Sequence, residues 1–334
     1  MLRKLSSFEA HDERIWHVAW NKEGSFFSSC GEDKTVRIWK MVSSSALDSL
    51  NIPLVASIED VQARTIRCCE WSPNSKMIAS ASFDGTVIIW ATQDKTFKFW
   101  DQVASLEGHD NEVKSVSWCF DGSYIATCGR DKKVWIWESI VGGEFECVAM
   151  LDGHTQDVKF VRWHPTEKVL FSCSYDDTIR VWMGDNEDWY CESTLIGHSS
   201  TVWGVALVDD GKHLISCSDD KSLILWENTE SSGSGGDRKW AKTATLSDVH
   251  GCPIYSIDGN QEHALLASGG GDNSIVLSRV VRNADDGFSS IEIVRSFPES
   301  HDGDVNCVRW NPTNSSLLIS AGDDGKINIW SLEF

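Results

Sequence analysis

Between Glu107 and Met150 the chain alternates short apolar runs with turn signals. The runs Val113 to Trp118, Tyr124 to Cys128, Val134 to Trp137 and Phe145 to Met150 are rich in β-branched and aromatic residues, and Asp121-Gly122 and Arg130-Asp131-Lys132 interrupt them. This pattern predicts a four-stranded antiparallel meander. Four residue types occupy fixed offsets in it: Asp131 stands six residues before Trp137, Thr127 ten before Trp137, and His109 nine before Trp118.

The same offsets recur along the whole chain. Six residues before Trp39, Trp90, Trp137, Trp182, Trp226, Ser278 and Trp330 stand Asp33, Asp84, Asp131, Asp176, Asp220, Asp272 and Asp324. Ten residues before them stand Ser29, Ser80, Thr127, Ser172, Ser216, Ser268 and Ser320. The histidine position reads His11, Gln62, His109, His154, His198, His250 and His301. A period slightly above the roughly 40–45 residues of a WD repeat, found seven times, is a specific signal.

The chain therefore resembles the WD-repeat β-propellers, with Gly-His kept at Gly108-His109, Gly153-His154 and Gly197-His198 and no Asp after any blade-ending Trp. The fold expected is all-β: a single seven-bladed propeller spanning 1–334, with blades starting near residues 11, 62, 109, 154, 198, 250 and 301. The resemblance implies hydrogen-bonded chains across the blades. His109, Thr127, Asp131 and Trp137 would form one, His154, Ser172, Asp176 and Trp182 another, and His198, Ser216, Asp220 and Trp226 a third. Buried chains of this kind stabilise when every member is satisfied, so the repeats carrying Gln62 and Ser278 should hold weaker ones. The last repeat stops at its third strand, so residues 2–8 are expected to complete blade seven and close the ring, removing a sheet edge.

Of the 17 Trp, eleven fall on the repeat: six end third strands, while Trp20, Trp71, Trp118, Trp163 and Trp310 end first strands. Four of the 11 Cys, namely Cys30, Cys128, Cys173 and Cys217, share a position held elsewhere by Ala or Gly, which marks a packing site. No Cys-x-x-Cys is present, so no metal and no cofactor are expected. The net charge of −20 argues against general nucleic-acid or anionic-membrane binding. No run approaches eighteen apolar residues and the opening MLRKLSSFEAHDE lacks a signal-peptide core, so a cytosolic or nuclear protein is expected. Three connections have linker composition: Val42 to Asn51, Asn228 to Arg238 and Arg282 to Ser290.

His, Ser and Asp in each repeat superficially offer a catalytic triad, but a constellation repeated in every blade suits a structural device, and no catalytic residue is assigned. The positions that vary between blades are the ones free to encode a partner. By analogy with WD propellers, residues three and five after the histidine position, and the residue before the invariant Asp, face the narrow side of the ring around its channel. Blades two to four present there Arg67, Lys114, Arg130 and Lys159 beside Phe83 and Tyr175, with Trp16 and Trp203 at equivalent positions. Arg and aromatic residues dominate binding hot spots. Two readings of this set stand: a partner-docking surface, or a solvated rim paired locally with Glu112 and Asp157.

The strings EGHDNEVKSVSW, ATCGRDKKVWIWE, HTQDVKFVRWHP, SYDDTIRVW and DVNCVRWNP go beyond a generic repeat. They resemble the WD-repeat subunit of the cytosolic iron–sulfur protein assembly machinery, departing most in blade six at Gly259 and Ser278. That resemblance implies a non-enzymatic adaptor. Its partners would be a MIP-family assembly factor, a HEAT-repeat subunit and apo iron–sulfur client proteins. The alternatives are a ubiquitin-ligase substrate receptor and a histone or signalling scaffold. Acidic, aromatic tails are the expected ligand chemistry for Arg130, and the chain's own ending, Leu332-Glu333-Phe334, has that character.

Overall fold

The computed structural model describes residues 2–42, 50–140, 143–184, 188–229, 239–260, 262–282 and 289–333. Most of the three linker-like connections, and Phe334, lie outside them. The described residues form seven four-stranded antiparallel sheets arranged as a β-propeller. In the blade first read from sequence the strands span Val113–Trp118, Tyr124–Gly129, Val134–Ser139 and Phe145–Leu151, within a residue or two of the expected runs.

The seventh sheet is composite. Its outer strand, Leu2–Glu9, pairs antiparallel with Lys326–Leu332, from Leu2 opposite Leu332 to Glu9 opposite Lys326. Leu2 is buried, and the Lys4 amine donates to Ser300 O at 3.0 Å while lying 4.8 Å from the Trp330 ring centre. The first strands line the axis, each packed on those of the two flanking blades. Apolar residues from adjacent sheets interdigitate between blades: Val134, Ile136 and Trp182 of blades three and four form one such cluster, and Phe171, Val205 and Trp226 of blades four and five another.

Five blades carry the expected chain in full. In blade three His109 Nδ1 is 2.7 Å from Asp131 Oδ2 and its Nε2 2.9 Å from Thr127 Oγ1, to which Trp137 Nε1 donates at 3.0 Å. Blades one, four, five and seven repeat this with Ser as the central member. In blade two Gln62 Oε1 accepts from Ser80 Oγ at 2.7 Å, and Gln62 Nε2 turns to Ser80 O and Thr86 rather than to Asp84. In blade six Ser278 Oγ is buried without a partner, so Ser268 receives no indole N–H. The two degenerate chains are thus each short of one link.

The Asp is present even where its histidine bond is missing because it has a second task. Its Oδ1 accepts the N–H of the residue two positions on in all seven blades, from Thr35 to Lys326. The residue between them is left-handed each time: Lys34, Gly85, Lys132, Asp177, Lys221, Asn273 and Gly325 have φ between 62° and 94°. Only two of these are Gly, so elsewhere the Asp-capped turn holds a non-glycine residue in a conformation it disfavours.

Candidate functional site: the narrow face

One irregularity fixes the face. In every blade the first two strands slip register by one residue, for example between Val113 opposite Gly129 and Ser115 opposite Cys128. The residue left unpaired is Trp16, Arg67, Lys114, Lys159, Trp203, Tyr255 or Asn306, the set found five after the histidine position. A bulge re-aims a side chain and releases it from the ladder. Here it frees that residue to project at the channel mouth, where Arg67, Lys114, Lys159, Trp203, Tyr255 and Asn306 line one constriction.

Blades two to four form a bowl of about 430 Å³ lined by Phe83, Glu112, Lys114, Arg130, Gln156, Asp157, Lys159 and Tyr175. The local pairing expected of this rim is present. Arg130 Nη1 donates to Glu112 Oε2 at 3.1 Å, and Lys114 Nζ lies 2.5 Å from Asp157 Oδ2. Burial works against the Glu112 charge, but hydrogen bonds from Arg130 and Arg64 hold its carboxyl below the usual range. Arg130 and Tyr175 remain exposed at 57% and 56%, so these groups are open to an incoming ligand.

Lys159 is different. Its side chain is 12% exposed, and its amine sits 5.1 Å from the ring centres of both Tyr175 and Trp203. Burial and the neighbouring Lys114 pull its pKa down to about 8. Trp203 donates to Asp219 at 2.5 Å and meets Tyr255 edge-on. Trp16, in blade one, is covered by Arg67 at 4.7 Å and Arg14 at 5.4 Å. The structure therefore brings Arg130, Lys114, Lys159, Phe83 and Tyr175 around one concavity, with Trp203 at its inner edge, whereas Arg67 lines the channel constriction and lies over Trp16, outside the bowl.

Two features escaped the sequence reading. Arg64, two residues after Gln62, donates to Glu112 at 3.1 Å and to Phe83 O at 2.7 Å, completing the bowl's rim. The channel also holds a buried ionic network. Arg309 Nη2 donates to His17 Nε2 at 2.8 Å, His17 Nδ1 donates to Cys69 O at 3.0 Å, and Arg162 lies 3.4 Å from Asp258. Glu70 stands 3.6 Å from His17. The signal was present as Glu70, Arg162, Asp258 and Arg309 eight after the histidine position, where the other three blades carry Ala19, Ser117 and Ala206.

His17, Cys68 and Glu70 place a possible metal-ligand atom each within 4.8 Å of one another. Chemistry opposes a metal there. The free lone pair of His17 is taken by the Arg309 guanidinium, and burial keeps the Cys68 thiol protonated by pushing its pKa up. Cys30, Cys128, Cys173 and Cys217 are fully buried, with thiol pKa values raised by burial, as packing residues should be. Cys68 and Cys69 are buried as well, while Cys191 is half-buried.

Comparison with known proteins agrees with this geometry. The family model "WD domain, G-beta repeat" matches residues 2–40, 57–91, 100–138, 145–183, 189–227, 241–277 and 291–331, one stretch per blade. The probable cytosolic iron-sulfur protein assembly protein 1 of Vanderwaltozyma polyspora is 37% identical over 353 residues, covering 99% of both chains. The chain belongs to this WD40-repeat assembly-protein family. The probable cytosolic iron-sulfur protein assembly protein CIAO1 homolog of Caenorhabditis elegans is 36% identical over 343 residues, with full coverage of both chains. That of Kluyveromyces lactis is 36% identical over 344 residues. The WD40 propeller is typically a non-catalytic scaffold, which accords with the repeated His-Ser-Asp chains serving as buried struts.

Proposed function

We propose that the whole chain acts as one propeller-shaped adaptor of cytosolic iron–sulfur protein assembly, without catalysis of its own, helping to deliver clusters to apoproteins of the cytosol and nucleus. The observation that carries this reading is the full-length similarity to proteins named for that assembly. In this reading the adaptor joins a MIP-family factor and a HEAT-repeat subunit, and the cluster is cargo. Partner or client tails combining acidic and aromatic residues dock in the bowl of blades two to four. The exposed Arg130 guanidinium grips a carboxylate through two parallel hydrogen bonds, trading one carboxylate partner, Glu112, for another. Phe83 and Tyr175 take up the apolar part of the tail. Against the ubiquitin-ligase alternative, no Arg stands two residues after Trp39, Trp90, Trp137, Trp182, Trp226 or Trp330, where such receptors commonly carry it.

Affinity purification of tagged wild type and Arg130→Glu tests this. The wild type should recover the HEAT-repeat and MIP-family subunits, and the variant should lose client or partner binding with its melting temperature nearly unchanged. Recovery of cullin adaptors in place of those subunits overturns the adaptor reading. Normal binding by a folded Arg130→Glu variant overturns the docking site alone.

A further inference from the structure

The Lys159 amine has the surroundings of an activated nucleophile. The Lys114 side chain is 15% exposed and that of Lys159 12%, so two like charges are held side by side away from most of the solvent. Both turn toward one carboxylate oxygen, Asp157 Oδ2, with Lys114 at 2.5 Å and Lys159 at 3.7 Å, so the carboxylate is already committed to Lys114. A lysine desolvated beside another cation is a standard means of exposing a neutral amine. The charges around it are unbalanced in one direction. Arg64, Arg67, Lys114 and Arg130 stand around the bowl and throat against Glu112, Asp157 and, held by Trp203, Asp219, so an uncharged Lys159 still leaves one more cation than anions. Tyr175 and Trp203 cover the amine at 5.1 Å each; their faces favour the ammonium form, so it is burial and Lys114 that lower its charge.

We propose that Lys159 is a site of reversible carbamylation by carbon dioxide. The amine lone pair forms a new N–C bond to the carbon of CO2, one C=O π pair moves onto oxygen to give a carbamate anion, and one N–H proton leaves to solvent water through the open bowl. Nothing is oxidised or reduced. The carbamate inverts the charge at this position and is matched by Lys114 and Arg67, with Asp157 as the opposing charge. A pKa near 8 leaves about a fifth of the amine neutral at pH 7.4, enough to react. Carbon dioxide is small enough to reach a side chain only 12% exposed. The adduct is a matter of local chemistry alone. Its consequence, that dissolved CO2 weakens docking of acidic tails by occupying their cations, rests on the proposed function.

The test uses the full chain with ¹³C-labelled bicarbonate at pH 7.4, observed by ¹³C NMR. The carbamate is also trapped by a trialkyloxonium salt and located by peptide mass spectrometry. A saturable carbamate signal mapped to Lys159 and absent from Lys159→Arg is the expected result. Lys114→Met removes the activating cation and should reduce the adduct several-fold, a check that remains should Lys159→Arg fold poorly. Label confined to the chain's amino terminus and exposed lysines, or a signal surviving in folded Lys159→Arg, overturns the assignment. An adduct at Lys159 that leaves the binding of a synthetic peptide ending in Glu-Phe unchanged overturns the link to docking and not the modification.

Discussion

Lys114 Nζ lies 2.5 Å from Asp157 Oδ2, and this contact decides how the bowl responds to pH. With Asp157 engaged by Lys114, Lys159 keeps a pKa of about 8, set by burial and then by Lys114. Below pH 8 it is a cation and strengthens attraction for a carboxylate, and above pH 8 that attraction fades. Binding of an acidic peptide should therefore be flat from pH 6.5 to 7.2 and weaken several-fold by pH 9, on the order of 1 kcal/mol for one partly screened charge. Lys159→Arg should abolish the step. Stability has the opposite sign: the folded pKa is depressed from 10.5, so the unfolded chain binds more protons between pH 8 and 10.5, and stability rises across that window. Titration calorimetry at several pH values reads the binding, and a pH step that persists in Lys159→Arg assigns it to another group.

The blade chains predict graded damage. Asp131→Ala removes the partner of His109 Nδ1 and the cap of the Lys133 N–H, at roughly 1–3 kcal/mol per group left unsatisfied. Gln62→Ala breaks a shorter chain, because Asp84 is held by its own turn, and should lower the melting temperature less. Gln62→His should raise it. Asp84 Oδ2 already accepts the Ala63 N–H at 2.7 Å, as Asp176 Oδ2 accepts that of Thr155, so the acceptor stands where a histidine needs it. Equal melting shifts for Asp131→Ala and Gln62→Ala contradict the scheme.

The channel network predicts a reversal on double substitution. Arg309→Met removes the guanidinium that bonds His17 Nε2 and takes an opposing charge from the surroundings of Glu70 and Asp258, so it should lower stability. Glu70 already has its pKa raised by burial, so adding Glu70→Gln should recover part of that loss. Denaturant unfolding of the single and double variants measures the coupling. Additive losses show that the two residues do not share a network.

The repeat was legible because the His, Ser or Thr, Asp and Trp meet across one blade, and that geometry tolerates no change of offset between the Asp and Trp. The left-handed turn after each Asp was not legible, since Lys34, Lys132 and Lys221 adopt it without the glycine that usually signals it. The residues five after the histidine position share one bulge, which leaves no residue-type mark. Lys114 and Trp203 occupy it equally well. Arg64 was missed because it lies one residue before the position read for partner contacts, and only the fold shows it reaching Glu112 in the next blade.

The pairing of Leu2–Glu9 with Lys326–Leu332 makes the last prediction. Deleting residues 1–9 removes no group of the bowl, so its direct effect is confined to blade seven. There it exposes the ladder edge of Lys326–Leu332, uncovers Trp330 by removing Lys4, and leaves Ser300 O without the Lys4 amine. Leu332 loses its buried neighbour Leu2. An apolar, unpaired strand edge is a template for pairing with other chains. The truncated protein should therefore melt at a lower temperature, with a broadened transition, and form oligomers at micromolar concentration by light scattering. Adding a synthetic peptide of residues 1–10 should restore part of the lost stability by strand addition, which general misfolding does not allow. A soluble, monomeric truncation that melts as cooperatively as the full chain shows that ring closure does not depend on this strand.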